Sequence, residues 1–180
     1  LPSGKESIRT KFVFKLKLKA DGSVDKYKVR LVAKGFSQYF GIDYEETFAP
    51  VSQIISIKLL IAIAVQFKLR LRHLDVATAF LQSKIDPRFE IFVEFPEGFL
   101  LEGCKYGQLF KSLYGLKQAA RDWFTMSEQF ILGFDSRFEK SPCEPCMYFL
   151  RCKEVSIFVL VHVDDYIIAH NNDKFYDSFV

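Results

Sequence analysis

Two adjacent carboxylates, Asp164 and Asp165, stand between two strongly apolar runs, residues 156–163 and 166–169. Acids in such a setting are costly to bury unless a cation or hydrogen-bond donors compensate them. A third acid, Asp75, closes another apolar stretch in His73-Leu74-Asp75-Val76 and is followed by Ala77-Thr78-Ala79-Phe80-Leu81. If the strand bearing Asp75 pairs beside the Asp164 hairpin, three carboxylates meet at one sheet edge, and hard oxygen ligands of this kind suit Mg²⁺. Two such ions about 3.5–4 Å apart activate a hydroxyl and stabilise a pyrophosphate leaving group, which is phosphoryl-transfer chemistry. The plain alternative is that Asp164 and Asp165 form an exposed hairpin tip, where Asp is an ordinary turn residue.

Other reactive residues are weaker signals. Cys143-Glu144-Pro145-Cys146 has a metal-like spacing, but a structural zinc needs four ligands, and the remaining Cys104 and Cys152 do not supply a matching pair. His73 shares a strand face with Asp75 and reads as a packed or solvated histidine. Trp123 reads as a helix residue facing the core. No G-x-G-x-x-G, Walker A or G-x-S-x-G string occurs, which removes the commonest dinucleotide, NTPase and hydrolase signatures.

The elements that must position these acids follow from periodicity. Residues 11–19 alternate, with Phe12, Phe14, Leu16 and Leu18 on one face against Lys11, Lys15, Lys17 and Lys19, the pattern of a half-buried strand. After the turn Ala20-Asp21-Gly22-Ser23, alternation resumes through Tyr27, Val29, Leu31 and Ala33, predicting a hairpin whose wet face is nearly all cationic. Ser52 is placed to cap a helix reaching about Phe67 that is apolar on most sides and therefore central. A strand over 69–76, a short strand over 89–95 and a helix from about Lys117 to Leu132, ended by Gly133, come next. Runs at 147–152, 155–162 and 166–170 complete a meander. This order predicts an α+β domain with an antiparallel sheet and no parallel βαβ unit.

Composition bounds the class. The 180 residues are 49% hydrophobic and 16% aromatic, enough for a real core, which excludes disordered and collagen-like chains. Four cysteines are too sparse for a secreted disulfide scaffold and point to a reducing, intracellular compartment. The longest apolar run, residues 59–65, is far short of a membrane helix, so no membrane partner is expected. The net charge of +3 hides an asymmetry: residues 1–40 carry +7 and the remainder −4. That balance suits one part that touches phosphate and another that holds cations, the plain alternative being a solvated hairpin. The first residue is Leu, and the chain reads as a piece of a longer product.

Five blocks then carry a resemblance: residues 27–36 (YKVRLVAKGF), 41–51 (GIDYEETFAPV), 73–81 (HLDVATAFL), 111–119 (KSLYGLKQA) and His162-Val163-Asp164-Asp165. In order and spacing they resemble the reverse transcriptases of Ty1/copia-type retrotransposons, over nearly the whole chain. The resemblance implies the fingers and palm of a right-hand polymerase, an antiparallel palm sheet packed on helices, with the thumb missing. The fingers are expected at about 1–50 and 86–118, the palm at about 51–85 and 119–180.

By the same resemblance Asp75, Asp164 and Asp165 are the catalytic and metal-binding acids, Asp164 the direct ligand and Asp165 the supporting one. They would hold two Mg²⁺, with Mn²⁺ a possible substitute. Phe80 is similar to the aromatic gate that rejects a ribose 2′-OH, its plain alternative being a core Phe. Tyr114 and Gly115 fall in the block that lies against nucleotide and template, where Gly115 would let backbone approach the ligand closely. Lys28, Arg30 and Lys34 are the triphosphate contacts to choose between, and alternation puts them on one face.

The implied partners are an RNA or DNA template with its primer, deoxynucleoside triphosphates, and the RNase H and integrase segments of a Pol polyprotein. The implied location is the cytoplasm, within a virus-like particle. Two positions depart from the family pattern: His162 stands where Tyr is usual, near the expected primer end, and Ala120 where Pro is usual. The expected activity is RNA-directed DNA synthesis. The rival is an inert remnant that keeps the fold and at most weak nucleic-acid binding.

Overall fold

The structure is a computed structural model that describes residues 1–99 and 103–180. The chain forms two compact units, one of residues Leu1–Phe48 and Phe80–Trp123, the other of Ala49–Ala79 and Phe124–Val180.

The first unit is built on a four-stranded sheet in the order β2-β1-β4-β5, from β1 (Ser7–Leu18), β2 (Val24–Ala33), β4 (Ile91–Glu94) and β5 (Tyr106–Leu109). The hairpin β1–β2 is antiparallel and has a tight turn near Gly22, whose φ of 83° a side-chain-bearing residue rarely adopts. Its base is buried: Ile8, Ala33, Ile91, Val93, Leu113 and Leu116 share one apolar cluster. Its outer part is not. Phe14 is 74% exposed and Tyr27 80%, so the expected half-buried strand is half-buried only at its beginning. The alternation set the strand, but no described residue of this unit covers the apolar side of residues 12–18 fully. Two features of this sheet were not foreseen. Ser7–Arg9 pairs in parallel with Phe92–Glu94, a contact the sequence did not announce, and β5 had no sequence signal because its tyrosine, glycine and glutamine break any alternation.

The second unit is a five-stranded, wholly antiparallel sheet in the order β3-β9-β8-β7-β6, from β3 (Arg70–Asp75), β6 (Glu139–Lys140), β7 (Met147–Arg151), β8 (Ser156–His162) and β9 (Asp165–His170). Strand β8 is apolar without alternation, and Ile157, Val159, Leu160 and Val161 are all buried, as a strand covered on both faces requires. Leu60 and Ala64 of α1 (Ile54–Gln66) pack with Met147, Leu160 and Ala169 from one face. From the opposite face, Tyr166 meets the Ser127 hydroxyl of α2 (Ala119–Phe134) in a short hydrogen bond. The last element, α3 (Asp173–Phe179), is capped by the Asn172 side chain, which accepts from the Phe175 N–H at 3.0 Å.

Helix α1 corrects two expectations. Ser52 does not cap it, since Gln53 holds that position without a side-chain bond. Nor is it central: Ser56, Leu60 and Ala64 are buried, whereas Ile54, Ile55, Leu59 and Val65 are more than half exposed. A helix apolar all round carries no signal of which stripe a sheet will cover. Helix α2 runs through Gly133 to Phe134 instead of ending there, because that glycine keeps an ordinary helical φ. No described helix is long and apolar enough to cross a membrane.

Candidate active site

Asp75 is the last residue of β3 and pairs directly with Asp165, the first of β9. Asp165 in turn pairs with His162, the last residue of β8. Directly opposed residues of antiparallel strands project to the same face, so His162, Asp165 and Asp75 form one row across three strands. Asp164 occupies the turn between β8 and β9, and its backbone carbonyl accepts the Val76 N–H at 3.0 Å, fastening the end of β3 to that turn. The pairing thus brings all three acids to one end of one sheet.

Backbone strain marks the same place. Val163 has φ 60° and Thr78 φ 52°, left-handed values that cost a β-branched residue about 1–3 kcal/mol each. One precedes Asp164 and the other follows Asp75 by three residues, so both lie where the acids leave their strands. Strain of this kind persists only where surrounding structure imposes it, and it concentrates at functional sites.

His73 was not foreseen as a site residue. Instead of packing or being merely solvated, it is exposed and its Nε2 lies 2.7 Å from Asp165 Oδ1. The register explains the contact: His73 is two residues from Asp75 on the same face and diagonal to Asp165. The i, i+2 spacing to Asp75 was the available signal.

The acids are the donor type a hard divalent cation takes, and their strand pairing brings them to one end of the sheet. Among the described residues, however, no three His, Cys, Asp or Glu side chains converge closely enough to hold one. Asp165 is turned to His73, while Asp75 and Asp164 face solvent. The expectation that three carboxylates meet is met by the backbone and not by the side chains.

In the first unit, a second group forms. The Arg30 guanidinium lies 5.4 Å from the centre of the Tyr114 ring, and Tyr114 packs against Phe80 with ring centres 5.4 Å apart. Phe80 is only partly buried and leans on the apolar cluster of this unit. Lys28 and Arg30 share the cationic face of β2, opposite Lys15 and Val13. Lys34 does not share it, contrary to expectation, because β2 ends at Ala33 and Lys34 begins a 3₁₀ turn. It lines instead a cavity of about 460 Å³ with Arg9, Glu94 and Lys105.

Gly115 sits where the backbone of this unit is tightly packed. Its φ is 89°, and a Cβ there would stand 2.2 Å from the Ala33 carbonyl oxygen. It permits a close approach to β2, where the Ala33 N–H donates to the Tyr114 carbonyl at 2.7 Å. Trp123 is buried, as its helix pattern suggests. In the Cys143–Cys146 segment, Cys146 is buried and burial pushes its thiol up to about 12, the mark of a structural cysteine, whereas Cys143 is exposed.

The sequence model described as reverse transcriptase (RNA-dependent DNA polymerase) matches residues 1–180, and the chain belongs to that family. It is 43% identical over 172 residues to the retrovirus-related Pol polyprotein from transposon TNT 1-94 of Nicotiana tabacum, covering 94% of this chain and 13% of that protein. To the retrovirus-related Pol polyprotein from transposon RE1 of Arabidopsis thaliana it is 36% identical over 176 residues, covering 95% of this chain and 12% of that protein. To the putative transposon Ty5-1 protein YCL074W of Saccharomyces cerevisiae it is 35% identical over 108 residues, 58% of this chain and 33% of the other. The first two matches make it a reverse transcriptase domain of the copia type, and the chain spans about an eighth of those relatives' length. No solved structure matches it.

Proposed function

We propose that the chain is the fingers and palm of an RNA-directed DNA polymerase that extends a primer 3′-OH with deoxynucleoside triphosphates on an RNA or DNA template. The observation that carries this reading is the register that pairs Asp75 with Asp165 and fastens Val76 to Asp164. Two Mg²⁺ or Mn²⁺ ions held by Asp75, Asp164 and Asp165 would supply activation of the attacking hydroxyl and charge neutralisation at the leaving pyrophosphate. The rest is work for the protein's own groups. Asp75 and Asp164, both exposed, present carboxylate oxygens to solvent at the sheet end, and His73 holds one oxygen of Asp165.

The fingers correspond to residues 1–50 and 86–118, the palm to 51–85 and 119–180; the two compact units have similar bounds, which supports this division. Of the three cations weighed for the triphosphate, Arg30 is favoured. Its planar guanidinium is anchored on Tyr114, which itself touches Phe80, so the proposed phosphate contact and ribose gate form one connected group. Phe80 excludes a 2′-OH by steric bulk without needing a hydrogen bond.

The second reading, an inert remnant, has one observation in its favour: the three acid side chains are not gathered around a common point. Primer extension on an RNA template with Mg²⁺, comparing the wild type with Asp164→Asn, separates the two. Incorporation that disappears in the variant supports the polymerase. Salt-sensitive template binding without incorporation supports the remnant.

A further inference from the structure

We infer that Ser52 is a positioning residue for the acid row, fixing the His162 imidazole beside Asp165 and Asp75; the inference rests on the polymerase reading above. Ser52 is 5% exposed, and its Oγ lies 2.9 Å from His162 Nδ1. A serine at this point of the chain would ordinarily cap the helix that follows, and here it does not. Helix α1 has no acid in its first turn and no capping side chain of its own. Its amino end is served from 91 residues away by Glu144, whose Oε2 accepts the Gln53 N–H at 3.3 Å and a short bond from the Ser56 hydroxyl. Glu144 Oε1 accepts the Cys146 N–H at 3.1 Å. Burial pushes the Glu144 carboxyl up, but these donors outweigh it and hold the group below the ordinary carboxylate range, so an anion sits where the helix dipole favours one.

With the helix end satisfied by Glu144, the Ser52 hydroxyl is left to bind the histidine. The same loop ties down the neighbouring residue, since the Cys146 carbonyl accepts the Val161 N–H at 2.9 Å. Consecutive residues of β8, Val161 and His162, are therefore held by the segments that Glu144 joins. An imidazole fixed at one nitrogen presents the other in a set direction, here in the row with Asp165 and Asp75.

The experiment uses the whole chain and three variants: Ser52→Ala, Ser52→Thr and His162→Asn. Nitrogen-15 NMR at pH 8 reads the His162 ring nitrogens directly. The Nδ1 resonance should move in Ser52→Ala and return in Ser52→Thr; an unmoved resonance in Ser52→Ala overturns the inference. In primer extension, Ser52→Ala should lower kcat about tenfold while KM for nucleotide stays within roughly twofold, the mark of lost alignment rather than lost binding. His162→Asn, which removes the ring that Ser52 holds, should lose at least as much as Ser52→Ala when each is scored against its own melting temperature; a smaller loss overturns the inference. An unchanged kcat in Ser52→Ala, or a fall fully explained by a lower melting temperature, also overturns it. A wild type that incorporates nothing defeats the polymerase reading instead, and the ring resonance alone then decides whether Ser52 sets the imidazole.

Discussion

The hairpin β1–β2 and the strand pair β8–β9 are both antiparallel ribbons rich in apolar side chains, yet they meet opposite fates. In β8–β9 both faces are covered, so the chain needs no alternation and has none. The hairpin alternates cleanly, yet its outer apolar face, including Phe14, Leu16, Leu18 and Val29, is exposed. Its other face sets Lys15 opposite Lys28 and Lys17 opposite Lys26, like charges in direct cross-strand pairs that destabilise an isolated ribbon. The second unit buries its ribbon in a core, whereas the hairpin of the first leaves most of its length exposed.

The comparison can be broken most decisively at the acids. Asp164→Asn is expected to reduce incorporation by about a hundredfold or more, whereas Lys28→Ala on the hairpin should change it only several-fold, largely through KM. Steady-state primer extension checks both, and equal losses would erase the proposed division of labour. Next in size is the core contrast. Leu160→Ala should destabilise the chain by about 2–5 kcal/mol in urea unfolding, because that side chain is fully buried. Phe14→Ala on the exposed ribbon should stay within about 0.5 kcal/mol.

A smaller effect sharpens the view of the hairpin. Lys15→Glu replaces a like-charge pair by an opposite one and should stabilise the fold by about 0.2–1 kcal/mol at low salt. The same change should weaken binding of a primer–template duplex and flatten its dependence on salt, read by fluorescence anisotropy. Stabilisation without loss of binding would show that the cationic face is only solvated.

The smallest expected effects are those of pH, and they differ in sign between the units. His170, buried in the second unit and stacked on Tyr176, has its pKa lowered by burial and by Arg72 and Arg70, against the opposing Asn172 carbonyl and Asp177. The unfolded chain then binds more protons, so stability is full above the ordinary histidine value of 6.5 and falls as pH drops below it. Asp122, in the first unit, is raised by burial despite the Ser112 hydroxyl, so its contribution is present below the ordinary value of 3.8 and is lost as pH rises through its folded value. Melting temperatures of His170→Phe and Asp122→Asn across pH 3–8 should lose the respective slopes.

The sequence by itself determined the strands of both ribbons, the mixed sheet-and-helix class, the family and the candidate acids. Apolar runs, alternation and five ordered blocks are local properties that any reader of the chain can measure. Tertiary pairing decided the rest. Which stripe of the all-apolar α1 is buried depends on the sheet it meets, and the parallel contact between β1 and β4 joins segments more than eighty residues apart. The partners of Ser52, His73 and Glu144 are set by register across strands, and no residue type announces them in advance. Gly115 makes the same point: the residue was legible as a close approach, but only the fold reveals that the neighbour is Ala33. Local free energies select elements, whereas the row of His162, Asp165 and Asp75 exists because three separate strands end at one level.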